Sequence, residues 1–98
     1  MAKRESQFQA KLIKKIKKKY PDAIVLKNDA NYIQGIPDLL ILRGNKWAAL
    51  ECKRENDSSR RPNQEYYVNK MNEMSYAAFI FPENEQEVLD DMEQSFRT

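Results

Sequence analysis

The sequence predicts an α/β domain: a mixed central β-sheet flanked by helices, in the order α-β-β-β-α-β-α. Three observations lead there. Apolar residues recur at helical spacing near the start, in the second half and at the end of the chain. Between those segments lie short apolar runs bounded by Gly, Asn and Pro, as strands are. The length of 98 residues fits one compact domain over positions 1–98 and leaves no room for a second.

Residues 6–20 read as the first helix, with Phe8, Leu12, Ile16 and Tyr20 on one stripe and Ile13 widening it. Ser6 followed by Gln9 matches a capping box, with a start nearer Lys3 as the alternative, and Pro21-Asp22 ends the helix. Ala23–Lys27 is a short strand candidate, and Asn28–Gln34 reads as a polar loop or a ragged strand. Asp38–Leu42 is a strongly apolar strand entered through Gly35-Ile36-Pro37. Gly44-Asn45 has the composition of a two-residue hairpin turn, so Lys46–Arg54 is the return strand. After a polar loop over Asn56–Arg61, Pro62 opens a second helix running to about Met74, with Tyr67, Met71 and Met74 on its stripe. Tyr76–Phe81 is a further strand closed by Pro82. Asn84, with Glu87 three residues on, looks like the cap of a last helix striped by Val88, Met92 and Phe96.

Composition narrows the chemistry. Hydrophobic residues make up 41% and charged residues 33%, which suits a folded domain with a highly charged surface. There is no histidine, so Ser-His triads, His-ligated metals and zinc fingers of the Cys-His type are excluded. The one cysteine, Cys52, has no partner for an intrachain disulfide. No apolar run approaches the length of a membrane span and the first residues are basic, so the expectation is a cytoplasmic protein with no membrane contact. Net charge is only +2 but unevenly spread. The first 20 residues are rich in lysine, whereas residues 83–98 carry Glu83, Glu85, Glu87, Asp90, Asp91 and Glu93 against Arg97 alone. A polyanionic partner for the basic side is one consequence.

The hairpin register carries the main inference. With Gly44-Asn45 as the loop, Arg43 pairs with Lys46, Leu40 with Ala49 and Asp38 with Glu51. Side chains so opposed stand about 5 Å apart at Cβ. Two carboxylates there repel each other, and they interrupt two otherwise apolar strands. A divalent cation between them turns repulsion into chelation, and oxygen ligands of this kind suit Mg²⁺. Lys53 lies two residues beyond Glu51 and so faces the same way, where an ammonium can position water or balance charge on a phosphate. Cys52 points to the other face while its backbone carbonyl stays available to a metal. Gln64 lies one turn before Tyr67 and Val68, on the inward stripe of the second helix.

Gly35-Ile36-Pro37-Asp38, a spacer of twelve residues, and Glu51-Cys52-Lys53 resemble the PD-(D/E)xK nuclease superfamily. The spacing and Gln64 look most like its small VRR-NUC branch, which includes stand-alone bacteriophage proteins. The resemblance covers about Glu5 to Phe81 and implies a restriction-endonuclease-like core. It further implies Asp38, Glu51 and the Cys52 carbonyl as ligands of Mg²⁺, or of Mn²⁺ in its place. Lys53 would be the catalytic lysine, and Gln64 would hold water or substrate. Glu5 matches an acidic residue that some members add to the site.

The DNA-contact candidates follow from charge. Lys11, Lys14, Lys15 and Lys18 lie off the apolar stripe of the first helix, and Arg54, Arg60 and Arg61 flank the site in a loop. The expected function is a Mg²⁺- or Mn²⁺-dependent endodeoxyribonuclease acting on branched DNA such as Holliday junctions. A homodimer is expected, with the Tyr76–Phe81 strand or the last helix as shared surface. A nicking or single-strand nuclease on the same fold, and a non-catalytic DNA-binding module, are the alternatives.

Overall fold

The structure, a computed structural model, describes residues 2–55 and 59–98, with side chains from Glu5 onward. Within it run α1 (Ala2–Lys19), β1 (Ile24–Lys27), β2 (Leu39–Arg43), β3 (Lys46–Cys52), α2 (Pro62–Met74), β4 (Tyr76–Ile80) and α3 (Glu85–Arg97). The four strands form one mixed sheet in the order β1-β2-β3-β4. Both β1–β2 and β2–β3 are antiparallel, whereas β3 and β4 run parallel, joined by α2 as the crossover that a parallel pair requires.

Side-chain alternation divides the strands between two cores. Leu39, Ile41, Ala48, Leu50, Cys52 and Ile80 pack with Leu12 and Ile16 of α1 and with Val88, Leu89, Met92 and Phe96 of α3. The neighbouring positions Leu40, Trp47, Ala49, Ala77 and Phe79 pack with Val68 and Met71 of α2. The molecule is therefore three layers, α1 and α3 on one face of the sheet and α2 on the other. Both faces of β3 are covered, which is why its five residues from Ala48 to Cys52 are all buried.

The turn at Gly44-Asn45 sets the register. Gly44 has φ +62°, which suits the first central position of a type II′ hairpin turn. Arg43 faces Lys46 and Leu39 faces Leu50, so the register is the one counted from the sequence.

Several boundaries differ from expectation. The first helix begins at Ala2, in line with the alternative start near Lys3, so Ser6 is an exposed helical residue and not a cap. Asp38 lies one residue before β2 and Lys53 one residue beyond β3, because the regular ladder stops at Leu39 and Cys52. Pairing continues irregularly at both: Asn28 N–H donates to the Asp38 carbonyl at 2.8 Å, and Lys53 N–H to the Ile80 carbonyl at 2.8 Å. Asn84 does not cap α3 with its side chain. A 3-10 turn, Pro82–Asn84, intervenes, and Asn84 Oδ1 accepts the Phe81 N–H at 2.8 Å instead. Met74, expected on the inward stripe of α2, is 66% exposed. The apolar stripe of α3 is used up in its own core, and Ala77, Ile80 and Phe81 of the β4 segment are buried too. Tyr76, Ala78 and Phe79 of β4 are half-buried, and among the described residues the exposed large apolar side chains are Ile24, Leu26, Tyr32, Tyr66 and Met74. Of the loop expected over Asn56–Arg61, residues 56–58 lie outside the described residues. No helix among the described residues is long and apolar enough to cross a membrane.

Candidate active site

Four of the residues singled out by spacing meet at one end of the sheet. Asp38 Oδ2 accepts the Cys52 backbone N–H at 2.9 Å, across the hairpin, which holds the Asp38 carboxylate against the segment carrying Glu51. The approach to Asp38 is rigid: Pro37 is fully buried, and its carbonyl accepts Asn28 Nδ2 at 2.8 Å. Gly35 makes the entry possible. It has φ +91°, and a Cβ there would stand 2.5 Å from Asn63 Cβ and 2.7 Å from the Asn63 carbonyl carbon. Only a residue with no side chain lets the loop lie this close to the start of α2.

Glu51 and Lys53 are the two buried charged residues among the described ones, at 3% and 7% exposure. Gln64 links them. Its Nε2 donates to Glu51 Oε2 at 3.0 Å, and its Oε1 accepts from Lys53 Nζ at 2.8 Å. The same Oε1 accepts the Arg61 backbone N–H at 3.1 Å, so Gln64 also closes the first turn of α2. Three of the four hydrogen-bonding directions of its amide serve to fix it. Lys53 Nζ stands 3.8 Å from Glu51 Oε2, a secondary ion pair within the same cluster.

The electrostatics are those of a site short of positive charge. Glu51 is pushed up to about 8, first by burial and then by the Asp38 charge, against the lowering pull of Lys53 and the Asp38 backbone N–H. Burial raises Asp38 as well; the Cys52 N–H offsets this in part, and the Glu5 charge adds to it. Glu5 thus lies close enough for its field to reach both carboxylates. The Cys52 thiol is raised by burial and by Asp38 and Glu51, and the Gln9 side chain hydrogen-bonds to it. That keeps the thiol neutral and leaves it a packing group. Glu51 Oε1 is buried with no hydrogen-bond partner, the only such side-chain atom among the described residues. A polar atom so placed is costly unless something absent from the polypeptide completes it.

The cations expected to contact DNA are arranged unequally. Lys11, Lys14, Lys15 and Lys18 are all exposed. Lys15 pairs with Glu85 at the start of α3, so it also ties two helices together. From Lys11 the row runs away from the site, with Lys18 about 10 Å further along α1. Arg54 lines a cleft with Lys11, and Arg61 lines another at the start of α2. Arg60 lies over the Phe79 ring at 4.4 Å from the centroid, which orients its guanidinium beside the β4 edge. Tyr66 is exposed and meets half-buried Tyr67 edge to face at 5.0 Å. The sequence marks no role for Asn28 or Asn63, since an Asn in a polar segment has no spacing signal, and it reads Gln9 as a capping-box residue, whereas its side chain meets Cys52.

Comparison with protein-family models, with curated proteins and with solved structures gives no significant match to this chain. The functional reading therefore stands on the residues and geometry above.

Proposed function

We propose that this chain is a metal-dependent DNA endonuclease with a restriction-endonuclease-like core, acting on branched DNA such as four-way junctions. The observation that carries the reading is Glu51 Oε1, buried and unpartnered beside a second carboxylate whose charge opposes its own. Stability alone disfavours that arrangement, and a divalent cation satisfies it. Asp38 and Glu51, with the Cys52 carbonyl, would hold Mg²⁺ or Mn²⁺. When bound, such an ion polarises the phosphodiester and lowers the pKa of a bound water. Lys53 supplies fixed positive charge toward a phosphate, its ammonium held by Gln64. Gln64 keeps Glu51 and Lys53 at their separation, and the Glu5 field adds to the demand for a cation. Lys11, Lys14, Lys18, Arg54, Arg60 and Arg61 are the phosphate-contact candidates.

A two-fold homodimer presents two such sites to two strands of a junction. Light scattering at twice 11.6 kDa is the expected result.

One observation favours a non-catalytic DNA-binding module as second reading. Among the described residues, no three His, Cys, Asp or Glu side chains stand close enough together to hold a metal ion. A cleavage assay decides between them. Duplex, flap and four-way-junction DNA are incubated with Mg²⁺, with Mn²⁺ and with chelator. Metal-dependent cleavage that favours the junction is expected, and binding without cleavage under every condition would establish the second reading.

A further inference from the structure

Two clefts adjoin the Glu51–Gln64–Lys53 cluster. One, of about 340 Å³, lies between the loop carrying Gln34 and Gly35 and the start of α2, with Arg61, Pro62, Asn63 and Gln64 on its wall. The other, of about 400 Å³, lies between Gln7, Phe8 and Lys11 of α1 and the pair Arg54 and Pro82. The first reaches the cluster through Gln64, which bonds both Glu51 and Lys53. The second reaches it through Arg54, next in sequence to Lys53. Because α2 and α1 cover opposite faces of the sheet, the two clefts flank its end from opposite faces, and the Glu51 and Lys53 side chains lie buried on the α2 face against Gln64.

Their chemistry is alike. Each has at least one cation, Arg61 alone in one and Lys11 with Arg54 in the other. Each offers neutral amides, Gln34 and Asn63 in one and Gln7 in the other. Each has a flat apolar surface, Pro62 in one and Phe8 with Pro82 in the other. Those groups match the phosphates, edges and faces of nucleotides in turn.

We propose that one unpaired DNA strand crosses the site from the first cleft to the second, an inference that rests on the nuclease reading above. Volumes of a few hundred Å³ take one small ligand each. A duplex is stiff over about 150 base pairs and cannot turn round the end of the sheet from one face to the other. A single strand can. The scissile phosphate is then presented by a strand leaving its partner, as at a branch.

Binding measured in chelator tests the path without requiring cleavage. Fluorescence anisotropy of the full chain would follow a short labelled oligothymidine, free and annealed to its complement. Gln34→Glu with Asn63→Asp alters the first cleft, and Gln7→Glu with Lys11→Gln alters the second. Asp near a helix start and Glu or Gln within an exposed helix favour folding, and melting temperatures check it. Each pair should weaken single-strand binding about tenfold, the combination should lose about the product, and duplex binding should change much less. Lys46→Glu, at the hairpin turn, should leave both unchanged. Loss from one cleft only, equal loss for duplex, or an equal loss in Lys46→Glu would overturn the proposal. Normal junction cleavage by the combined variant would overturn the path and leave the nuclease standing. The predicted binding pattern in a chain that never cuts would support the path and sink the nuclease.

Discussion

Gln64 Nε2 donates to Glu51 Oε2 at 3.0 Å, which commits one oxygen of a buried carboxylate and leaves the other without a partner. If the free oxygen awaits a cation, Glu51→Gln should abolish cleavage and at the same time raise the melting temperature of the metal-free protein. A neutral amide escapes first the burial penalty on the carboxylate and then its repulsion with Asp38, and a rise on the order of 5 °C is expected. Asp38→Asn should also abolish cleavage. Calorimetric melting in chelator and a junction-cleavage assay give the two readouts; wild-type cutting by either variant would remove the carboxylates from the chemistry.

Lys53 is fixed by Gln64 and stands further from Glu51 than Gln64 does. Its expected task is charge stabilisation on the phosphate. Lys53→Ala should lose cleavage by about 10²–10³-fold while Mn²⁺ affinity changes much less. In Gln64→Ala, metal affinity and activity should both fall, by about 10–100-fold, because the orienting bonds are gone. Calorimetric Mn²⁺ titration beside single-turnover cleavage separates the two residues, and identical profiles would contradict the division of roles.

The raised Glu51 carboxyl makes stability depend on pH. In the unfolded chain it titrates near 4.5 and in the folded chain near 8. Between those values the folded state retains a proton that the unfolded state has lost, so stability falls as pH rises. Asp38, also raised, acts in the same direction. The melting temperature in chelator should therefore decline from about pH 4.5 to about pH 8. Glu51→Gln should flatten most of that decline, and a profile unchanged by the substitution would show that the site is not its source.

Gly35 approaches Asn63 more closely than any side chain allows, at a positive φ. Gly35→Ala must push the loop off the start of α2, at a cost of about 1–3 kcal/mol, or on the order of 10 °C in melting temperature. The same shift separates the Asp38 approach from Gln64, so cleavage should fall in protein that is still folded at the assay temperature. A melting temperature equal to wild type would mean that the contact yields easily.

Much of this protein was legible in its residues alone. The strands and helices follow from the periods of Leu12, Ile16, Leu39, Ile41, Val88 and Met92, because a residue's face is set by a repeat of two or of 3.6. The Gly44-Asn45 turn fixes a register over five pairs, which ends at Leu39–Leu50 and delivers Asp38 and Glu51, the next residue on each side, to the same end of the hairpin. Such information is local: it needs only the next turn or the adjacent strand.

Tertiary packing decided the rest. That β4 joins β3 in parallel, that α1 and α2 take opposite faces, and that the α3 stripe is consumed internally depend on contacts between distant segments. Gln64 could be placed on an inward face by counting, but its bonds to Glu51 and Lys53 exist only because α2 docks on β3 with its first turn at this end of the sheet. The orphaned Glu51 oxygen is likewise a property of the packed state. Burial and the loss of water are cooperative outcomes of the whole fold, and no residue's neighbours in sequence contain them.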